Sequence, residues 1–154
     1  MRLVQRLRRA PAIVAVGLAA LVLVAIWASA ALAAGAADSV LTITMGKPGE
    51  FSLKPSAKSA KAGEVEFILR NKGKIEHEFI LLRTNTKAAK LKPRAENPNK
   101  VEEPGFSLEI EDIAPGGKVI VALPLKKGHY VLLCNIDGHY KGGMRADLTL
   151  NGGI

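Results

Sequence analysis

"CNIDGHYKGGM", Cys134 to Met144, holds the only cysteine of this 154-residue chain, with one of its three histidines and one of its three methionines. Four residues separate Cys134 from His139, and four more separate His139 from Met144. "GHYVLLC" (Gly128–Cys134) before it and "MRADLTL" (Met144–Leu150) after it read as strands, so the stretch is a short connection between them. Gly138, Gly142 and Gly143 let that connection bend tightly. One loop can therefore aim a thiolate, an imidazole and a thioether at a single point.

Soft sulfur with imidazole suits copper, and two imidazoles and a thiolate with a weak axial methionine form a blue-copper site. A second imidazole must then come from elsewhere. His129 lies five residues before Cys134 on the same predicted strand. Side chains alternate along a strand, so this odd separation puts His129 on the opposite face from Cys134, as a surface residue or a satisfied polar neighbour. His77 stands where the glycine-bearing "NKGKIE" meets the next strand, at the end of the fold expected to carry the 134–144 loop.

The rest of the chain divides into short segments. Strands are expected at Val40–Met45, Glu64–Asn71, His77–Thr84, Phe106–Ile113 and Lys118–Leu125, with a weaker one within residues 51–60. The breaks are marked by Gly, Pro and Asn, a pattern that argues an all-β sandwich. Asn85–Gly105 departs from it. "TKAAKLK" allows one or two helical turns, and "PRAENPNKVEEPG" reads as an exposed loop.

Residues 1–34 have another character. Arg2, Arg6, Arg8 and Arg9 precede a run without charge that ends in Ala31-Leu32-Ala33, the pattern of a secretory signal peptide. Cleavage is expected before Ala34 or Ala37. The alternative is a retained hydrophobic helix, since Ala12–Ala34 could span a bilayer as a membrane anchor. Either way residues 35–154 form one domain outside the cytoplasm, periplasmic or otherwise exported. Loss of the four arginines lowers the formal charge from +8 to +4. Lys87, Lys90, Lys92 and Arg94 have no interleaved aromatic residues, so no nucleic-acid motif is present. A lone cysteine in an exported domain implies a free thiol, an intermolecular disulfide or a metal thiolate.

"NKGKIEH" followed by "GHYVLLCNIDGHYKGGM" resembles the cupredoxins, the type 1 blue copper proteins, and among them the auracyanin, rusticyanin and sulfocyanin group. The resemblance covers roughly Val40 to Leu150. It implies a Greek-key sandwich over residues 35–154, one copper ion held by His77, Cys134, His139 and Met144, and one-electron transfer. It also implies docking of transient redox partners through an apolar patch near His139. The expected rim of that patch is Lys72, Lys74 and Lys141 with Asp137. Many members carry Asn or Ser directly after the first ligand histidine, where this chain has Glu78. Either Glu78 makes a different tie between the ligand loops, or Asn135 takes part.

Three functions compete on these residues. An electron carrier, acting as a monomer, needs only the site above. Copper storage or delivery would use a similar one. A copper enzyme of this lineage needs further histidines, and two of the three present are already assigned, so no enzyme is expected. A structural zinc site fits poorly, because zinc prefers Cys, His or carboxylate at its fourth position.

Overall fold

Alternation along Gly63–Asn71 sets the first sheet. Val65, Phe67 and Leu69 are fully buried, while Glu64, Glu66, Ile68 and Arg70 between them are partly exposed. A period of two puts the first set on one face of a strand. In the computed structural model, which describes residues 36–152, this segment is the fourth of nine strands. They are β1 (Ser39–Met45), β2 (Leu53–Pro55), β3 (Ser59–Lys61), β4 (Gly63–Asn71), β5 (His77–Arg83), β6 (Phe106–Ile113), β7 (Lys118–Leu125), β8 (Gly128–Leu133) and β9 (Arg145–Asn151). A short helix, α1 (His139–Gly142), lies between the last two. The weak strand expected within residues 51–60 is two short strands, β2 and β3. The signal or anchor reading of residues 1–34, with its hydrophobic helix, lies outside the described residues. Among the described residues no helix is long and apolar enough to cross a membrane.

The strands form two sheets, β2-β1-β4-β7 and β3-β9-β8-β5-β6. Two pairings are parallel, β1 with β4 and β3 with β9; the others are antiparallel. The path follows the expected Greek key. After β4 the chain crosses to the β5–β6 pair, returns as β7 beside β4, then crosses again so that β8 lies beside β5. Leu41, Ile43, Val65, Phe67 and Leu69 of the first sheet meet Phe79, Leu81, Tyr130, Leu132 and Leu148 of the second. Each such side chain removed from water contributes about 1.5–3 kcal/mol.

β5 lies between β8 and β6 in its sheet and is buried on both faces. Phe79 and Leu81 face the sandwich, and Ile80 and Leu82 face outward with Val131 and Leu133 of β8. Two adjacent strands with apolar outer faces need a cover. The 84–105 segment provides it, burying Ala88, Leu91 and Val101 on that face, with Tyr140 beside them. The segment holds one 3-10 turn, Ala88–Lys90, and a bridge between Pro93 and Val101. The 3-10 turn is the helical turn expected in "TKAAKLK", and the stretch from Pro93 to Gly105 is the expected loop, exposed or half-buried throughout except for buried Val101. The three anchoring apolar side chains are too widely spaced to show a periodic signal.

Register places the ends of the sandwich. Met45 pairs with Asn71, His77 with Ile113 and Leu133 with Arg145, which gathers these positions at one end. Gly63 with Leu125 and Gly128 with Leu150 mark the other.

Candidate metal centre

Cys134 follows β8 directly, and Met144 immediately precedes β9. The Cys134 N–H donates to the Met144 carbonyl at 3.1 Å, closing the loop at its neck. Between them α1 turns the chain once, and the Met144 N–H donates to the His139 carbonyl at 3.1 Å. The tight connection expected from its glycines thus contains a helical turn, which brings His139 back toward Cys134.

His77 opens β5 opposite an irregularity. Between His77–Ile113 and Phe79–Ile110, β6 takes three residues to two of β5, and the span includes Asp112 with φ of 53°. A bulge of this kind re-aims side chains near a site. The approach to His77 is fixed by Asn71. Its side-chain amide donates to the carbonyls of Ile75 (2.8 Å) and Ile113 (2.7 Å), and its side-chain oxygen accepts from Gly73 N–H (2.9 Å). The motif "NKGKIEH" therefore encodes a preformed turn that delivers the histidine.

These supports bring His77, Cys134 and His139 together. Their donor atoms all lie within 4.8 Å of one another. His77 Nδ1 and His139 Nδ1 are 3.3 Å apart, and Cys134 Sγ is 3.3 Å from His139 Nδ1. Two nitrogens about 2.0 Å from a shared ion and separated by roughly a tetrahedral angle lie about 3.3 Å apart, so the cluster fits one metal ion. Its chemistry fits too. Burial lowers the pKa of both histidines, so at neutral pH their rings offer lone pairs. Burial also pushes the Cys134 thiol up to about 11, against the pull of the Glu78 and Ile136 backbone N–H groups. The metal must therefore displace a proton from sulfur on entry. Met144 is fully buried at the neck of the same loop.

His129 takes no part. It lies on the opposite face, with Nε2 2.7 Å from an Asp147 carboxylate oxygen and Nδ1 against the Thr84 carbonyl. Strand parity placed it correctly.

The loop tie left open by the sequence uses both candidates. The Glu78 N–H donates to Cys134 Sγ at 3.4 Å, and its carboxylate accepts from the Asn135 N–H at 2.5 Å. The Asn135 side chain is joined to Val101, accepting from its N–H (2.8 Å) and donating to its carbonyl (2.9 Å). Farther along the loop, Asp137 accepts from Asn97 (2.7 Å), Lys141 donates to Asn99 (2.9 Å), and the Tyr140 hydroxyl donates to the Ala88 carbonyl (2.5 Å). The 84–105 segment is thus an outer brace for the ligand loop.

Sequence reasoning missed two residues of the β1–β2 connection. The Phe51 ring meets the His139 ring edge-on, with centroids 5.1 Å apart. A Cβ at Gly142 would lie 2.7 Å from Phe51 Cγ, so that position must be glycine for the ring to sit there. Glu50 reaches the other imidazole, His77. No periodicity marks either residue, because the connection is irregular and its contacts are distant in sequence.

A two-sheet Greek key carrying a buried His-Cys-His cluster at one end is a cupredoxin, a blue copper protein whose cofactor is one copper ion. Residues 57–154 match the family described as the sulfocyanin (SoxE) domain, and the chain belongs to that family. Among solved structures it is similar to reduced auracyanin from Roseiflexus castenholzii (19% identity over 77% of this chain and 100% of that one, TM-score 0.54). It is also similar to the copper protein rusticyanin (19%, 75% and 80%, TM-score 0.57) and to auracyanin A, a "blue" copper protein from Chloroflexus aurantiacus (23%, 73% and 98%, TM-score 0.51). At such identities these likenesses bear on the fold. No curated protein sequence matches the chain significantly.

Proposed function

We propose that this protein is an exported, monomeric carrier of single electrons whose copper is held by His77, Cys134, His139 and Met144. The observation that carries the reading is the clustering of three buried donors of the right softness at one end of a rigid sandwich. Copper supplies the one-electron couple. The chain's own residues supply a fixed donor set. Cys134 and Met144 are pinned to each other at the neck of their loop, His77 is pinned by Asn71, and the outer segment braces the rest. Donors that cannot rearrange suit both oxidation states equally, which favours rapid exchange.

Electrons enter through His139. It alone of the four has any exposure, 7% against 0% for the others. The Phe51 ring packs on it, the carbonyl of half-buried Ile136 accepts its backbone N–H, and exposed Ile75 lies just before His77; these make the apolar face of this reading, with Lys72, Lys74, Lys141 and Asp137 as its rim. A transient partner with an apolar face and an acidic border fits it. Burial of the whole donor set disfavours storage or delivery, since a delivery site must open to a recipient. His129, committed to Thr84 and Asp147, is unavailable for a second, catalytic copper, which supports a carrier and not an enzyme. Residues 1–34 act as the export signal.

The deciding experiment adds Cu(II) to purified residues 35–154 and records the visible spectrum. A thiolate–Cu(II) charge-transfer band is expected and should vanish in Cys134→Ser; a colourless wild type overturns the reading. Intact mass of the native protein, expected to begin between Ala34 and Ala37, tests export.

A further inference from the structure

His77 Nδ1 faces the other donors, so the ring proton belongs on Nε2 when the site is filled. That Nε2 is fully buried and, among the described residues, has no hydrogen-bond partner. A buried N–H without an acceptor is costly, so a neighbour that could accept it matters. Glu50 Oε1 lies 3.4 Å away, slightly beyond a good bond.

The carboxylate is there by construction. It accepts backbone N–H groups from Lys74 (2.8 and 3.1 Å) and Ile75 (3.2 Å), which lie just before His77. Its approach depends on glycine. A Cβ on Gly73 would lie 2.1 Å from Glu50 Oε1, and one on Gly46 would lie 2.3 Å from the Gly73 Cα. The β1–β2 connection and the loop before β5 thus meet backbone to backbone, with Glu50 wedged between them.

We propose that Glu50 is a positioning residue of the copper centre: its carboxylate accepts a hydrogen bond from His77 Nε2–H, fixes the ring with Nδ1 inward, and lowers the reduction potential. The inference rests on the copper reading above. A carboxylate behind a ligating imidazole fixes its tautomer and raises its basicity. A negative charge close to the metal also favours the more highly charged oxidation state, Cu(II), over Cu(I).

Glu50→Gln separates this role from loop stapling. The amide oxygen can still accept from Lys74 and Ile75, while the charge and the longer second bond from Lys74 are lost. Potentials are read by voltammetry of the copper-loaded protein. Exchange of the His77 Nε2–H with water is read by NMR of the reduced, diamagnetic form. Glu50→Gln should keep the blue band, raise the potential by about 59 mV (a tenfold shift in the Cu(II) to Cu(I) affinity ratio) and speed that exchange severalfold. Glu50→Asp, which keeps the charge but withdraws it, should shift the potential less. If Glu50 only staples the loops, Glu50→Gln will match wild type in both readings, and the proposal is overturned. A wild type without a blue band overturns the copper reading and this one with it; a blue band with an unmoved potential removes Glu50 alone.

Discussion

The Asn135 backbone N–H donates to the Glu78 carboxylate at 2.5 Å, so the residue after Cys134 is held by the residue after His77. Glu78 returns the tie through its own N–H to Cys134 Sγ. The two ligand segments, 57 residues apart, are fastened by neighbours of the ligands. Glu78→Ala leaves the buried Asn135 N–H without an acceptor and should cost about 1–3 kcal/mol. Glu78→Gln keeps an acceptor and should lose less. Urea unfolding of the metal-free variants measures both; equal stability in Glu78→Ala and wild type would show that the tie contributes nothing.

The histidines should separate cleanly. His77→Ala and His139→Ala should each disrupt the copper spectrum, since each removes one of three donors within 4.8 Å. His129→Ala should leave it almost intact, because that ring is bound to Thr84 and Asp147 on the other face. Optical titration of the three variants with Cu(II) decides it, and loss of the band in His129→Ala alone would reverse the assignment.

Met144 should tune the centre more than hold it. Met144→Leu should retain the blue band and raise the potential, since loss of an electron-pair donor disfavours Cu(II) more than Cu(I). Met144→Gln should lower it, because an oxygen donor favours Cu(II). Voltammetry of both variants is the check. No change in either would make Met144 a core residue, consistent with its full burial alone.

The metal-free protein should weaken in alkali through Cys134. Burial raises its folded-state pKa from 9.0 to about 11. The unfolded chain therefore loses the thiol proton first. The stability due to the buried neutral thiol is complete below pH 9 and is lost as pH rises through 11. Two pKa units correspond to about 2.7 kcal/mol, an upper figure for one group. Unfolding of wild type and Cys134→Ala at pH 8.5 and pH 11 isolates it: the decline should be smaller in the variant. Identical declines would assign the loss to other groups.

Lys141 should bear on docking without touching the copper. It lies on α1 two residues after His139, exposed and bonded to Asn99. Lys141→Glu should slow stopped-flow electron exchange with a small anionic reagent and speed it with a cationic one, both effects fading with salt. The copper spectrum should not change. Equal rates in wild type and variant would remove Lys141 from the entry face.

What could be read from the chain alone was whatever repeats or is spaced locally. Turn signals placed Phe106–Ile113 and Lys118–Leu125 with the bounds later found, and parity set His129 apart from Cys134. The spacing of Cys134, His139 and Met144 marked the ligand loop because all three lie within one connection. The remaining support could not be read this way. Glu50 beside His77, Phe51 against His139, and Val101 under Asn135 are contacts between segments 27 to 88 residues apart. They are chosen by how the ends of two sheets come to rest on each other, not by any period along the chain. The sequence determined which atoms could bind the metal. Only the tertiary structure decided what holds those atoms still, because rigidity at a site comes from packing and hydrogen bonds that close after the sandwich has formed.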